Sequence, residues 1–148
     1  MAEDDLHFES FSLVTSNMHV NVHMKALSKK MQKAQFALDT QIMSSMVPFM
    51  PRNTATLINT TLARSMARAG TGVVCAAAPP YGRFQYYGKV MVDPATNSPW
   101  ARKGAKKITT DRPLNYSNPK AQPEWFEVAK ERDVQKWVQK VKQALGGQ

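Results

Sequence analysis

The feature that most constrains this chain is a long helical stripe of apolar residues that prolines bring to an end. Apolar side chains recur every three or four positions from Leu27 to Met46, with lysines on the opposite side. This spacing predicts an amphipathic helix of about twenty residues whose apolar stripe faces a core. Pro48 and Pro51 end the helix, because proline lacks an amide proton and clashes with the preceding turn.

A different periodicity precedes this helix. Apolar and polar residues alternate between Phe11 and Met24, which predicts a half-buried strand. On a strand the Cα atoms of His19 and His23 lie about 13 Å apart, too far to share a metal ion, so we interpret both as solvent-facing. Residues 1–10 are acidic and are expected to be a flexible N-terminus.

Residues 54–78 leave two interpretations open. Leu57, Ile58 and Leu62 are spaced as they would be on the apolar face of a second helix. The alternative is a hairpin that turns at Gly70 and Gly72, since glycine adopts positive φ without steric cost. Periodicity alone does not separate the two.

The second half of the chain predicts a short helix, a strand, a loop and a final helix. Tyr81, Phe84 and Tyr87 share one face of a helical turn that Gly88 can end in the left-handed conformation. A strand over residues 89–92 follows, and then a proline-rich surface loop over residues 93–122. Residues 123–146 predict a C-terminal helix, with Pro123 at its first position.

Length and composition indicate a soluble single domain spanning residues 1–148, 43% hydrophobic, without a membrane partner. No apolar run approaches the roughly 18 residues that cross a bilayer, and the acidic N-terminus is unlike a secretory signal. One cysteine excludes an intrachain disulfide. Residues 25–120 carry fifteen basic and three acidic groups, a balance that suits either a phosphate backbone or an acidic protein surface.

The catalytic motifs that we searched for do not occur in the sequence. There is no glycine-rich phosphate loop, nucleophile elbow or HExxH motif. Cys75 lies in an apolar run and is interpreted as a buried, inert thiol. Glu124, Glu127 and Glu131 fall near one helix face, as solvated carboxylates also do. We therefore expect no catalytic residue, no cofactor and no metal site.

Several spaced segments resemble a known family. Residues 79–94 (PPYGRFQYYGKVMVDP) are similar to the tyrosine-rich segment of tailed-phage minor capsid proteins. Those belong to the neck proteins called head–tail connectors, head–tail joining or tail-completion proteins. Residues 47–54 resemble the proline-rich joint of the family, and residues 114–117 and 125–130 resemble its later landmarks in the same order. The resemblance covers about residues 25–148.

Two positions depart from the family pattern. The family often has Asp-Thr-Gly at the joint, where this chain has Asn53, Thr54 and Ala55. The small residue after the first tyrosine is Gly82 here.

The resemblance implies an α+β fold. Its long helix packs on a small, mostly antiparallel sheet and is joined by a C-terminal helix and a long proline-rich loop. It also favours the hairpin over the second helix for residues 57–78.

The functional implication is a non-enzymatic virion protein of the phage neck, assembled in the cytoplasm of the host bacterium. It would form a cyclic homo-oligomer, six- or twelve-fold, that joins the DNA-filled head to the tail and contacts head-side and tail-side neck proteins. Non-specific contact with passing DNA is compatible with that role.

The aromatic segment and the basic loop are the expected interface. Tyrosines supply contact area with few rotatable bonds, although a local core cluster would have the same composition. The candidate interface residues are Tyr81, Arg83, Phe84, Tyr86, Tyr87, Lys89, Arg102, Lys103, Lys106 and Lys107. The alternatives are a basic nucleic-acid-binding protein, a small hydrolase or toxin, and a major or decoration capsid protein.

Overall fold

The structure is a computed structural model that describes the backbone of residues 11–15, 18–22 and 24–147 and the side chains of residues 24–147. The expected flexible N-terminus, residues 1–10, and the expected solvent-facing side chains of His19 and His23 lie outside these described parts. The elements are β1 (Phe11–Thr15), β2 (Met18–Val22), α1 (Lys25–Met46), α2 (Thr56–Met66), α3 (Gly82–Tyr87), β3 (Lys89–Val92), β4 (Ile108–Pro113) and α4 (Trp125–Ala144).

The alternating N-terminal segment forms two strands rather than one. β1 and β2 pair antiparallel, with Phe11 opposite Val22 and Leu13 opposite Val20. The prediction of extended structure is confirmed, whereas the turn between β1 and β2 and their pairing were not predicted from the sequence. A second antiparallel pair joins β3 to β4, with an irregular register between Lys89 and Met91.

The long helix α1 ends where the prolines predict. It passes into a 3-10 turn at Val47–Phe49 with Pro48 in its first positions. The C-terminal helix α4 is also confirmed, but it begins at Trp125 with the left-handed Glu124 as its N-cap, so the prediction of Pro123 at the first helical position is wrong. The periodicity of apolar residues therefore located both long helices.

Residues 56–66 are helical, so the hairpin favoured by the resemblance is wrong. Ile58, Thr61 and Ser65 lie on one buried face of α2. The Thr61 hydroxyl accepts from the amide of Ala78 at 3.0 Å, and Ser65 Oγ accepts from the amide of Cys75 at 2.9 Å. The segment after the helix is thus held by side chains of α2 rather than by strand pairing.

The core lies between α1 and α4. Met43, Met46, Ile58, Trp125 and Trp137 are buried in one cluster. The two helices run antiparallel: Arg132 of α4 lies over Phe49 just after α1, the Trp137 indole donates to Ser45 Oγ at 2.9 Å, and Gly146 lies near Lys30. The α+β class is confirmed, and within the described residues the principal partner of α1 is α4, while the strands form two separate two-stranded sheets.

Part of the expected loop over residues 93–122 is a strand. β4 extends from Ile108 to Pro113 and pairs antiparallel with β3. The chain therefore leaves this two-stranded sheet after Val92 and rejoins it at Ile108. The irregular part is divided into two shorter segments on either side of β4.

Candidate functional site

A groove of about 530 Å³ opens where three distant segments of the chain meet. One wall is the joint before α2 and its first turns, including Pro51 and Thr60. A second wall runs from Ala78 through Gln85. The third is residues 115–117. These walls include residues of three of the four segments that resemble the family, those at 47–54, 79–94 and 114–117, so the fold gathers these three around one concave surface.

Hydrogen bonds between the segments hold the groove open. The Tyr116 hydroxyl donates to the carbonyl of Gln85, and burial raises the pKa of this phenol. The Asn118 side-chain amide donates to the carbonyl of Met50 at 3.2 Å, which ties the third wall to the joint after α1. Because each bond joins residues far apart in sequence, the groove depends on the whole fold.

Aromatic side chains form one rim of the groove. Tyr81 is 65% exposed, and its ring meets that of Phe84 edge-on at a centroid distance of 6.1 Å. Gly82 lies between them and is buried, and a Cβ there would come within 2.7 Å of the carbonyl carbon of Ala77. Only glycine therefore lets the start of α3 approach this backbone and present Tyr81 at the rim.

The joint before α2 contains a residue in an unusual conformation. Ala55 has φ 58° and ψ −2°, in the left-handed region that favours glycine. This is the position where the resembling family often carries glycine. The chain therefore adopts a conformation that suits glycine at a position where it carries alanine.

The groove is neutral, with cations beside it. The lining, taken over the described side chains, includes no Asp, Glu, Lys, Arg or His. Arg52 and Arg83 are exposed and directly adjoin lining residues in the chain. Hydroxyl, amide and aromatic groups can bind a polypeptide segment but supply no general acid or base near neutral pH.

The predicted aromatic residues divide between core and surface. Tyr86 packs edge-on against the buried Trp125 at 4.9 Å, whereas Tyr87 is 55% exposed. Lys89 is half-buried, and its ammonium donates to the carbonyl of Asp111 at 3.4 Å. The structure thus brings Tyr81 and Phe84 to the groove and uses Tyr86 to anchor α3 against α4.

Arg102 is not the unpaired cation that the sequence suggests. Its guanidinium binds both carboxylate oxygens of Asp93, with Nε–Oδ2 at 2.8 Å and the second contact at 3.2 Å. Asp93 is fully buried and also accepts from the amides of Ala95 and Arg102. These donors stabilise the ionised carboxylate and hold the pKa of Asp93 well below its usual range.

Arg102 therefore fixes the start of the loop, while its side chain stays 61% exposed and its expected place in an interface remains a prediction. Lys103, Lys106 and Lys107 are exposed. The groove lining within residues 24–147 does not include any of these four residues. The two expected interface regions are thus separate surfaces.

Reasoning from the sequence missed the polar members of the groove. Asn53, Thr56, Thr60 and Asn115 line it but are absent from the expected interface. Two of these residues could have been found, because Asn53 and Asn115 lie in segments 47–54 and 114–117, which resemble the family. What the sequence did not indicate is that these landmarks meet.

Two further features bear on chemistry. Among residues 24–147 and the two described strands, no group of three or more His, Cys, Asp or Glu residues could hold a metal ion. None of the helices that the structure describes is both long and apolar enough to cross a membrane.

Comparison with known proteins returns one family. A family model described as "Minor capsid protein" matches residues 14–145. The match begins before the region of the resemblance and includes all three walls of the groove. Neither the curated proteins nor the solved structures contain a match to this chain.

Proposed function

The chain belongs to the minor capsid protein family of phages, and from this premise we propose that it is a subunit of a neck ring joining the head to the tail. Membership of the family makes it a structural component of the virion. The observation that supports a connecting role is the neutral groove, rimmed by Tyr81 and lined by residues from three of the four segments that resemble the family. Its function in this proposal is binding rather than catalysis.

The groove suits a neighbouring copy of the same chain. A closed ring needs a heterologous interface, in which one patch of each subunit fits a different patch of the next. A concave surface with an exposed tyrosine and flanking arginines has the residue types enriched in protein interfaces. Arg83 and Tyr87, both exposed on α3, extend this surface beyond the groove.

The remaining faces serve the proteins above and below the ring. Lys103, Lys106 and Lys107 project from an exposed loop and can pair with acidic residues of a head-side or tail-side neck protein. Such rim charges act mainly on association rate, so this contact should weaken with salt.

A charge placed in the groove tests the proposed interface. Thr60 lies on the exposed side of α2 and lines the groove, so Thr60→Arg obstructs it with little effect on the core. We expect phage carrying this variant to yield unjoined heads and tails in electron micrographs. Particle counts should fall at least tenfold relative to the unaltered chain.

The adjacent residue provides a matched control. Asn59 is exposed on the same helix and does not line the groove, so Asn59→Arg adds the same charge to α2 outside the groove. This variant should assemble normally. Intact particles from Thr60→Arg, or equal loss with both variants, would contradict the assignment of the groove as an interface.

The position in the particle is tested separately. A labelled chain should appear at the junction of head and tail, in tens rather than hundreds of copies. Label spread over the shell would instead indicate a decoration protein and would overturn the neck assignment.

A further inference from the structure

Two groups of lysines from opposite halves of the chain meet at one end of the helix pair. The first turns of α1 carry Lys25, Lys29, Lys30 and Lys33, and the last turns of α4 carry Lys136, Lys140 and Lys142. All seven residues are exposed. Because α1 and α4 are antiparallel, the start of one helix lies beside the end of the other.

Specific contacts establish this proximity. A Cβ built on Gly146, just after α4, would lie 4.0 Å from the ammonium of Lys30. Further along the pair, Gln41 of α1 faces Lys136 and Lys140 of α4 across a shallow polar groove of about 370 Å³. At 100° per residue, Lys30, Lys33 and Gln41 fall within about 80° of each other around α1. Lys30, Lys33, Lys136 and Lys140 therefore lie along one side of the helix pair. Together with Lys25 and Lys29 at the start of α1 and Lys142 near the end of α4, they make up what we call the basic end.

Within residues 24–147, carboxylates are scarce around the basic end. Residues 25–38 and 134–147 contain no Asp or Glu. Asp39 is buried and accepts from the amides of Gly70 and Gly72, and Asp133 is buried between Arg132 and Lys136. Among the described residues, Lys136 is the one lysine of the basic end with a carboxylate within 4 Å.

The other polar side chains at this surface are amides. Gln41, Gln135, Gln139 and Gln143 line the polar groove together with the two α4 lysines. Lysine and glutamine are among the residue types that contact phosphate and sugar in nucleic-acid complexes. Protein interfaces, in contrast, are enriched in arginine and aromatic residues and depleted in lysine.

We infer that the basic end binds the phosphate backbone of double-stranded DNA without reading its sequence. Lysine ammonium groups are flexible point charges that neutralise phosphates, and binding is driven by release of counterions from the duplex. This inference goes beyond the neck role, and it does not require ring assembly, because a single copy carries the whole surface.

The test is binding of the full chain to a fluorescent duplex of arbitrary sequence, measured by anisotropy over a series of salt concentrations. The variant carries Lys30→Gln, Lys33→Gln and Lys140→Gln, which removes three charges from the basic end. We expect the affinity near 0.1 M salt to fall at least tenfold. The slope of log K against log salt should become shallower by about 2 to 3.

A matched control removes the same net charge elsewhere. Lys103→Gln, Lys106→Gln and Lys107→Gln alter the exposed loop, and this variant should keep its affinity within about threefold of the unaltered chain. Circular dichroism should give the same helical signal for all three proteins.

Three results would overturn the inference. The first is no binding by the unaltered chain at low salt. The second is an equal loss with both variants, which would make net charge rather than the basic end responsible. The third is displacement of the duplex by polyglutamate at equal charge, which would identify the surface as a site for an acidic protein.

Discussion

At the residue scale, two positions with positive φ show how backbone conformation limits the choice of residue. Ala55 and Gly88 both have positive φ, at 58° and 66°, and each ends or begins a helix. A left-handed residue with a Cβ costs roughly 1–2 kcal/mol. The chain carries that cost at Ala55 and avoids it at Gly88.

Ala55→Gly should therefore stabilise the protein. Relief of the left-handed strain is partly offset by the greater entropy of glycine in the unfolded chain, which leaves a net gain of about 0.5–1 kcal/mol. The free energy of unfolding in urea measures this. Ala63→Gly, an exposed site inside the same helix, is the matched control and should lose about 1 kcal/mol. Loss of stability with both variants would contradict strain at Ala55.

Gly88→Ala should destabilise the fold by more than backbone strain alone. A Cβ at Gly88 would lie 2.8 Å from Cβ of Pro123, in addition to the left-handed strain of about 1–2 kcal/mol. Gly104 also has positive φ, but a Cβ there meets nothing within 4 Å of the described structure. Gly104→Ala therefore introduces left-handed backbone strain without a steric clash. The urea midpoint of unfolding should fall less for Gly104→Ala than for Gly88→Ala. Equal falls would show that the Pro123 contact is unimportant.

At the element scale, a buried polar contact aligns α1 with α4. Ser45 accepts from the Trp137 indole at 2.9 Å, one helical turn along α4 from the buried Asp133. Arg132 completes the contact, binding Asp133 while its guanidinium lies 4.6 Å from the centre of the Phe49 ring. These interactions explain why the apolar stripe of α4 is interrupted at Asp133.

Removing the Ser45 hydroxyl should weaken this alignment. Ser45→Ala leaves the buried indole N–H without its acceptor, at a cost of about 1–3 kcal/mol in the free energy of unfolding. Ser44→Ala is the control, because Ser44 is exposed and bonds only to its own helix at the carbonyl of Thr40. Thermal unfolding of the two variants gives the comparison, and similar melting temperatures would contradict the role of Ser45.

The loop before β4 should be sensitive to acid through Asp93. The folded-state pKa of Asp93 is lowered from its ordinary 3.8, chiefly by the hydrogen bond from Arg102. A lowered folded pKa gives stability that is present above the unfolded pKa and lost as pH falls through the folded value. The stability advantage over Asp93→Asn should be largest near pH 7 and shrink below about pH 4.

Urea unfolding at pH 7, 5 and 3 measures this dependence. Asp111→Asn alters an exposed carboxylate in β4 and should change stability little at pH 7. A constant difference between the unaltered chain and Asp93→Asn at all three pH values would contradict an ionic contribution from Asp93.

At the scale of the whole molecule, the two proposed surfaces involve different residues and are centred on different parts of the helix pair. The groove is next to the end of α1 and the start of α4, where the amide of Gln122 donates to the carbonyl of Phe49 at 3.1 Å. The basic end is where α1 begins and α4 finishes. At 1.5 Å per residue, the lysines in the first turns of α1 lie about 20–30 Å along that helix from the groove, whereas Lys136 and Lys140, opposite Gln41, lie nearer to it.

This separation predicts independent effects of the variants. Thr60→Arg should abolish joining of heads to tails and leave duplex binding unchanged in the isolated chain. The variant with Lys30, Lys33 and Lys140 replaced by glutamine should lose duplex binding and keep its ability to form the oligomer. Size-exclusion chromatography and anisotropy on the same preparations distinguish the two. Loss of both properties with either variant would contradict separate surfaces.

Interactions within a few residues were readable from the sequence. The apolar period located α1 and α4, prolines marked the end of the first, and Gly88 marked the end of α3. The spaced landmarks pointed to the correct family, and the family match agrees. These features depend on backbone restrictions and on side-chain spacing, which act locally.

Interactions between distant segments were decided by the tertiary structure. Residues 56–66 became a helix because the buried hydroxyls of Thr61 and Ser65 find partners in residues 75–78. Arg102 became a loop anchor because Asp93 is buried beside it, and two lysine groups became one surface because α1 and α4 pack antiparallel. Such pairings depend on which segments pack together in three dimensions, and no local pattern in a single sequence specifies them.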